Sequence, residues 1–383
     1  IMIKRDAEKK VRLYARQFRA LAIVGPRQSG KTTLAKQVFP RKPYVSLEDP
    51  DERSMALEDP RFFLSRFKNG AIIDEVQRAP DLFSYLQSIL DVSKRNALFV
   101  LTGSNNFLLN QSISQSLAGR IGYIDLLPLT ITEISRFTRE ISDPDRWMLQ
   151  GGYPEVFDRK RDPVIWYPAY IRTYVERDVR MIKNIVNTSL FTKFLRICAG
   201  RTSQLINLSA ISIECGIELK TVQSWLAVLE SSYIIFMLKP HHANFNKRLV
   251  KSPKLYFYDT GLACSLLGIT TSRELSLSPF RGALFENAVV SEKLKIENNK
   301  TRGSLVFFWR DNKGIEVDLL MDDGQEVTIA EIKSGATFNN AFLKNLNYWN
   351  QLSGQQGGEL IYGGDKSHPL PGKNKLVSWK DLH

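Results

Sequence analysis

Residues 25–33, GPRQSGKTT, combine two glycines, a lysine and hydroxyl side chains at a spacing that suits the binding of phosphate groups. Gly25 and Gly30 allow the loop to wrap closely, so that its backbone N–H groups face the phosphates. Lys31 would reach the β- and γ-phosphates of a nucleotide, and the Thr32 hydroxyl would ligate Mg²⁺. A short apolar strand precedes the loop and a helical pattern follows it, which is the context that this motif requires. The residues predicted to contact the nucleotide are Gly25, Pro26, Arg27, Gln28, Ser29, Gly30, Lys31, Thr32, Thr33 and, from a later segment, Asn105.

Two adjacent carboxylates, Asp74 and Glu75, end the buried-strand pattern GAIIDEV at residues 70–76. Asp74 is placed to hold Mg²⁺ through water, and Glu75 would orient or deprotonate the water that attacks the nucleotide. A signalling GTPase would lack the second acid, so the pair indicates ATP hydrolysis. The two motifs therefore predict ATP and Mg²⁺ as cofactors, with Lys31 and Glu75 in catalytic roles.

Another strand pattern, ALFVLTGSNN at residues 97–106, ends in Ser104 and Asn105. Strand ends at the carboxyl edge of a parallel α/β sheet face the ligand crevice, so both side chains could contact the γ-phosphate or the lytic water. Arg120, in SLAGRIGYIDLLPL, could act on a γ-phosphate in cis or from a neighbouring subunit. An ordinary surface arginine is an alternative of equal weight.

A second group of charged residues interrupts the hairpin pattern KGIEVDLLMDDGQEVTIAEIKSG. Side chains alternate between the two faces of a strand, so Glu316 shares a face with Asp318, and Glu331 shares one with Lys333. If the strands pair, one face collects three carboxylates that repel one another unless a cation neutralises them. Hard carboxylate oxygens at this density suit Mg²⁺ or Mn²⁺, and Glu286 on a preceding helix could complete the group. The alternative is that these charges point to water.

The middle of the chain lies between the predicted nucleotide site and the charged hairpin, and its sequence predicts mainly helices. Residues 159–201 carry ten basic against three acidic residues with aromatic residues between them, so this surface could meet nucleic-acid phosphates. Residues 207–238 have a helix–turn–helix pattern, and the basic stretch 239–254 would supply a wing. A solvated helix face and a wing used only for packing are alternatives of at least equal weight.

These segments together resemble a known family. The set GPRQSGKTT, IIDEVQ, LTGSNN, SLAGRI, LLPLT and GGYPEV, continued by YIRTYVERDV, LYFYDTGLACSLLG and GALFENAVVSEKL, resembles the prokaryotic AAA+-type P-loop ATPases that carry a C-terminal domain of unknown function. The resemblance covers nearly the whole chain. It implies an ATPase core, a winged-helix region and a C-terminal domain similar to the PD-(D/E)xK nuclease fold.

The nuclease resemblance implies a role for each charged residue of the C-terminal third. By it, Asp318 and Glu331 hold the metal, Lys333 positions or activates water and stabilises the developing charge, and Glu286 assists. Glu316 is the weaker candidate. The alternative is a nuclease fold retained for binding or for protein contacts.

Composition narrows the class of protein. The chain has 383 residues and a net charge of +13, which favours a polyanionic partner over a generally basic protein without one. The three cysteines form no C-x-x-C pair and the four histidines form no metal-ligand pattern, which argues against a disulfide framework and a zinc site. No signal peptide and no apolar run of membrane-spanning length is visible, so a cytoplasmic protein without a membrane partner is expected.

The sequence thus predicts an α/β protein in four parts. They are an AAA+-type P-loop ATPase domain with a parallel sheet at 1–150, a helical linker or lid at 151–190, a winged-helix region at 191–254 and a nuclease-like α/β domain at 255–383. The predicted function is ATP hydrolysis coupled to a Mg²⁺-dependent, nuclease-like domain acting on nucleic acid, with DNA favoured. The alternatives are a nucleotide-controlled switch and a DNA-binding regulator, in both of which the C-terminal domain binds without cutting. The AAA+ resemblance also allows a homo-oligomer.

Overall fold

A computed structural model describes residues 3–104, 117–138, 141–174, 187–242 and 250–382. The chain forms two compact units. Unit 1 consists of Ile1–Leu129, Ser231–Tyr233 and Asn298–Thr301, and unit 2 consists of Thr130–Glu230, Ile234–Glu297 and Arg302–His383. The division into four parts stays a prediction.

Unit 1 is built on a parallel sheet of five strands. They are β1 (Ala20–Val24), β2 (Tyr44–Ser46), β3 (Ile72–Asp74), β4 (Phe99–Gly103) and β5 (Ile121–Asp125). Their order in the sheet is β2-β3-β4-β1-β5. Every residue of β1 and β4 is buried, as expected of central parallel strands that are covered on both faces. The carboxyl ends of β1, β3 and β4 therefore meet at one edge of the sheet.

The helices of unit 1 are α1 (Glu8–Gln17), α2 (Lys31–Val38), α3 (Pro50–Glu58), α4 (Pro60–Ser65) and α5 (Leu82–Val92). Helix α2 begins directly after Gly30, whose φ of 92° lies in the left-handed region that glycine adopts readily. Helices α3 and α4 begin with a proline preceded by a capping aspartate, Asp49 and Asp59. Local sequence signals therefore define the starts of all three.

The first part of unit 2 is helical. Its helices are α6 (Ile131–Ser135), α7 (Pro144–Gln150), α8 (Pro154–Asp158) and α9 (Pro163–Tyr174). A capping box between Thr130 and Glu133 starts α6. Aromatic residues of these helices pack against one another and against Tyr153, whose ring lies 4.9 Å from that of Tyr170 and 5.1 Å from that of Trp166.

Three helices and a small antiparallel sheet follow. The helices are α10 (Thr188–Gly200), α11 (Leu208–Cys215) and α12 (Leu219–Ser231). The strands are β6 (Gln204–Leu205), β7 (Ile235–Leu238) and β8 (Lys254–Phe257), and they lie in the order β6-β8-β7. Trp225 of α12 packs edge-on against Phe191 and Phe194 of α10. This order of elements is the one expected of a winged helix, and the assignment itself stays a prediction.

The last part of unit 2 contains a six-stranded mixed sheet. The helices of this part are α13 (Thr260–Leu266), α14 (Ser272–Leu277), α15 (Arg281–Asn299) and α16 (Lys344–Ser353). Its strands are β9 (Leu305–Arg310), β10 (Glu316–Asp322), β11 (Val327–Lys333), β12 (Gly358–Tyr362), β13 (His368–Pro369) and β14 (Asn374–Ser378), in the order β13-β14-β12-β11-β10-β9.

Strands β10 and β11 pair antiparallel, with Leu319 opposite Ala330, which confirms the predicted hairpin. Its turn lies between Asp322 and Val327, slightly later than predicted. Strand β11 then crosses over through α16 to the parallel strand β12. Within the described ranges, none of the helices combines the length and apolar character that a membrane crossing requires.

Candidate functional site

The predicted phosphate-binding loop connects the end of β1 to the start of α2 at the carboxyl edge of the parallel sheet. At Gly25, φ is 146°, and a Cβ atom there would lie 2.2 Å from the backbone oxygen of Leu126. Only glycine fits, because that contact is far inside van der Waals distance. At the other end of the loop, the first N–H groups of α2 have no carbonyl partner within the helix and can face an anion.

Lys31 is folded back onto this loop. Its ammonium donates to the carbonyl oxygens of Gly25 at 3.1 Å and of Pro26 at 2.7 Å, and the residue is 6% exposed. Carbonyl oxygens thus hold the ammonium beside the loop that would receive the phosphates. A phosphate oxygen would be a stronger acceptor for the same group, because the hydrogen bond would then join two charges.

Asp74, at the end of β3, is the centre of a hydrogen-bond network. Its Oδ2 accepts from the Thr32 hydroxyl at 2.9 Å and from the Tyr44 hydroxyl at 2.9 Å. Its Oδ1 accepts from the Thr102 hydroxyl and from the backbone N–H of Glu75. Burial, with the negative charge of Asp74 second, raises the pKa of Tyr44 to about 12. The pairing of a hydroxyl with a carboxylate beside the loop suits Mg²⁺, which prefers such oxygen ligands.

Glu75 and Ser104 lie next to Asp74, as predicted from the strand ends. Glu75 has a left-handed backbone, with φ of 54°, which turns the chain sharply after β3. The Ser104 hydroxyl donates to Glu75 Oε2 at 3.3 Å. The structure therefore brings a carboxylate and a hydroxyl together beside the loop, while Asn105 lies outside the described residues.

Two residues of this site were not predicted from the sequence. Arg5 is buried, and its guanidinium donates to the carbonyl oxygens of Ser29 and Leu127, both at 2.7 Å. Tyr44, at the start of β2, is the second. Neither residue belongs to a recognisable motif, so no local signal could have revealed them.

Arg120 lies at the opposite edge of the same sheet. Ile121 pairs with Ala20, the first residue of β1, whereas the loop follows the last residue of β1. At about 3.3 Å per residue, the five residues of β1 separate the two edges by roughly 15 Å. The guanidinium pairs instead with Asp91, with Nε 2.5 Å from Oδ1. In this structure Arg120 does not reach the loop of its own chain. A role of Arg120 in ATP hydrolysis, in cis or at a neighbouring subunit, stays a prediction.

The charged residues of the hairpin converge in unit 2. The Lys333 ammonium lies 2.6 Å from Glu331 Oε1 and 3.9 Å from Asp318 Oδ2, and the latter oxygen accepts from the Ile332 N–H at 2.8 Å. The other oxygen of Glu331, Oε2, is buried and finds no hydrogen-bond partner among the described residues. An orphaned buried carboxylate oxygen beside a second carboxylate fits a divalent cation.

The pKa values of these carboxylates are raised. Burial, followed by the negative charge of Asp318, raises the pKa of Glu331 to about 8. Burial also raises the pKa of Asp318, although the ammonium groups of Lys333 and Lys254 oppose this shift. Burial lowers the pKa of Lys333, but the facing carboxylates outweigh it and raise the pKa overall. The group therefore binds protons readily when no metal ion is present.

Glu286 and Glu316 are bound to a lysine that the sequence analysis missed. The ammonium of Lys254 lies 2.9 Å from Glu286 Oε1 and also contacts Glu316 Oε1. Tyr256 donates to Glu286 Oε1 at 2.6 Å, and Arg310 Nη1 lies 3.1 Å from Glu316 Oε2. One oxygen each of Glu286, Glu316 and Asp318 lie within 4.8 Å of one another. The acidic cluster thus has two halves, one held by Lys254 and one by Lys333.

Similarity to known proteins covers three stretches of the chain. A model of an AAA domain matches residues 17–135. Models of two domains of unknown function, DUF8612 and DUF4143, match residues 141–273 and 281–382. Together with the parallel sheet and its loop, the first match makes this stretch an AAA-type P-loop domain.

Similarity along most of the chain extends to two mycobacterial proteins. The chain is 30% identical over 338 residues to uncharacterized protein Rv2008c of Mycobacterium tuberculosis and, equally, to uncharacterized protein Mb2031c of Mycobacterium bovis. Each match covers 87% of this chain and 74% of the relative.

Solved structures show weaker similarity. The Walker-type ATPase PABY2304 of Pyrococcus abyssi matches with a TM-score of 0.47 and 16% identity, over 69% of this chain and 96% of that chain. A RuvB variant of Thermotoga maritima matches with a TM-score of 0.33 and 17% identity, over 60% and 88%. DnaA of Aquifex aeolicus bound to AMPPCP matches with a TM-score of 0.29 and 14% identity, over 58% and 85%.

Proposed function

We propose that this chain, which belongs to the family of the mycobacterial proteins Rv2008c and Mb2031c, hydrolyses ATP. In this proposal the nucleotide state is coupled to a nuclease-like site that uses a divalent metal ion. That site acts on nucleic acid, with DNA favoured. The observation that carries the ATPase part is the contact of the Thr32 hydroxyl with Asp74 at 2.9 Å beside the loop that holds Lys31. The net charge of +13 supports a polyanionic substrate.

In the proposed ATPase mechanism, Lys31 exchanges its loop carbonyls for phosphate oxygens, and the N–H groups at the start of α2 face the same phosphates. Thr32 and Asp74 would hold Mg²⁺, which would offset the charge of the phosphates. Glu75 accepts a proton from the attacking water, and Ser104 orients the Glu75 carboxylate.

Phosphate release from ATP tests this part. We expect Glu75→Gln to lower the hydrolysis rate on the order of a hundredfold or more, because the proton acceptor is removed, while the affinity for ATP is retained. Lys31→Ala should abolish ATP binding itself. The matched controls are Glu58→Gln and Lys94→Ala, which change exposed residues and should leave both quantities unchanged. Wild-type hydrolysis in Glu75→Gln would remove this residue from the mechanism.

In the proposed nuclease-like site, Asp318 and Glu331 hold the divalent ion, consistent with the orphaned oxygen of Glu331. Such an ion polarises a phosphate oxygen and lowers the pKa of a bound water. Lys333, at 2.6 Å from Glu331 and 3.9 Å from Asp318, positions the water and offsets the charge that develops on the phosphate.

Cleavage assays with single-stranded and double-stranded DNA and RNA, in Mg²⁺ and in Mn²⁺, test the second part. We expect cleavage by wild type and its loss, by at least a hundredfold, in Asp318→Asn and Lys333→Ala. The control variants are Glu326→Gln, in the hairpin turn, and Lys375→Ala, in β14. Both change exposed residues, and both variants should cleave normally. Absence of cleavage of every substrate by wild type would contradict the proposal.

A nucleotide-controlled switch that binds without cutting is the second candidate, and one observation favours it. Lys254, Arg310 and Lys333 already lie against the four carboxylates of the acidic cluster. A cluster whose charges are largely compensated can serve as a structural core of the domain. The cleavage assays separate this candidate from the first.

A further inference from the structure

Lys254 is a buried ammonium at the centre of one half of the acidic cluster. Its side chain is 3% exposed, and it contacts both Glu286 and Glu316. Two carboxylates in contact with one buried ammonium favour its charged form. A buried charge of this kind is stable only when it is paired, and here the pairing is reciprocal.

The position of this ammonium is held by the backbone. Lys254 is the first residue of β8, the middle strand of its sheet, and it pairs with Leu238 on one side and Leu205 on the other. The ammonium also lies 5.6 Å from the centre of the Phe308 ring. Tyr256, two residues further on the same face, donates to Glu286. The strand thus delivers a cation and a hydroxyl to the same carboxylate.

Lys254 contacts two of the three carboxylates that could together hold a metal ion, Glu286 and Glu316. Carboxylate oxygens of Glu286, Glu316 and Asp318 lie within 4.8 Å of one another, which is close enough to share one cation.

We propose that Lys254 acts as a built-in cation in the Glu286–Glu316 half of the cluster, so that the site takes one divalent ion, at Asp318 and Glu331, in place of two. The inference rests on the proposed metal site and adds its stoichiometry. Lys254 is a positioning residue in this scheme, because it pairs with Glu286 and Glu316 and keeps both away from the metal.

Counting bound Mn²⁺ on the nucleotide-free full chain tests this inference. Asp74→Asn is present in every sample, so that the ATP site lacks its proposed Mg²⁺ carboxylate ligand. We expect one Mn²⁺ per chain by equilibrium dialysis in otherwise wild-type protein, and loss of that ion in Asp318→Asn. Lys254→Met removes the charge at nearly constant length and should bind two ions, the second of which is lost when Glu316→Gln is added. Lys254→Arg keeps the charge and is the matched control, with one ion.

Thermal melting keeps the test valid if the uncharged variant is unstable. Without metal, Lys254→Met should melt at a lower temperature than wild type, and Mn²⁺ should raise its melting temperature by more than it raises that of wild type. Equal Mn²⁺ stoichiometry in Lys254→Met and wild type, with equal melting shifts, would overturn the inference. If wild type binds no Mn²⁺, the proposed metal site at Asp318 and Glu331 is wrong. In that case a gain of one ion in Lys254→Met would still support the role of Lys254 as a built-in cation. The absence of such a gain would overturn that role as well.

Discussion

Glu331 is a buried carboxylate whose two oxygens have different surroundings. Its Oε1 accepts from Lys333 at 2.6 Å and from the Asn345 amide at 3.3 Å, whereas Oε2 has no hydrogen-bond partner among the described residues. Burial raises its pKa from the ordinary 4.5 to about 8. The folded, metal-free protein therefore keeps a proton on Glu331 at pH values where the unfolded chain has lost it.

This difference predicts how stability depends on pH. Between about pH 4.5 and pH 8 the folded state binds more protons than the unfolded state, so Glu331 makes the free energy of unfolding fall as pH rises. In EDTA, we expect the melting temperature of Glu331→Gln to fall less than that of wild type between pH 5 and pH 9. Glu326→Gln, on the exposed turn, should follow wild type. Parallel curves for Glu331→Gln and wild type would show that this carboxyl titrates normally.

The same protonation opposes metal binding, because a divalent ion must displace the proton from Glu331. Affinity for Mn²⁺ at the proposed site should therefore increase as pH rises through about 8 and then level off.

At the scale of elements, the phosphate-binding loop is held by the segment that precedes α1. Arg5 joins Ser29, in the loop, to Leu127, in the segment that follows β5. Two backbone carbonyls that lie far apart in the sequence thus share one buried guanidinium. The loop geometry therefore depends on a residue outside the nucleotide motif.

Replacing this anchor should destabilise unit 1 and weaken nucleotide binding. Arg5→Met leaves two buried carbonyls without their donor, at a cost of roughly 1–3 kcal/mol for each. Urea denaturation and ATP titration would measure the two effects. Lys4→Met changes the exposed neighbour and is the control. Unchanged ATP affinity in Arg5→Met would show that the loop keeps its geometry without the anchor.

Sequence patterns predicted the elements whose signals are local. The strand–loop–helix unit around Lys31, the strand ending at Asp74 and the β10–β11 hairpin all follow from short stretches of chain. Lys254 gave no such signal, because its partners lie 32 and 62 residues away, and the pairing depends on how β8, α15 and β10 pack. The position of Arg120 likewise depended on the direction of β5 in the sheet.

At the scale of the whole molecule, the chain joins an AAA-type domain to two domains of unknown function. If nucleotide state controls the rest of the chain, ATP must bind two arrangements of the protein with different affinity, since a ligand shifts an equilibrium only by that difference. A shift between two such arrangements would change the sedimentation coefficient of the protein, whether or not the C-terminal site cuts nucleic acid.

We therefore expect a non-hydrolysable ATP analogue to change the sedimentation coefficient of wild type. Lys31→Ala should sediment identically with and without the analogue, because the loop lysine is needed for binding. Lys94→Ala, an exposed lysine of the same unit, should respond as wild type does. An unchanged coefficient in wild type at saturating analogue would count against a switch that alters shape or assembly.

Lys254, the first residue of β8, also decides how the protein can be dissected. The two C-terminal family models meet between residues 273 and 281, with Lys254 in the first and Glu286, Glu316, Asp318 and Glu331 in the second. A recombinant fragment beginning at residue 281 would carry four carboxylates without the buried lysine that pairs with two of them. A chimera that takes this domain from one relative and the preceding domain from another would inherit the same mismatch unless a lysine stands at the matching place. These two segments therefore form one transferable module, although their sequences are classified as two.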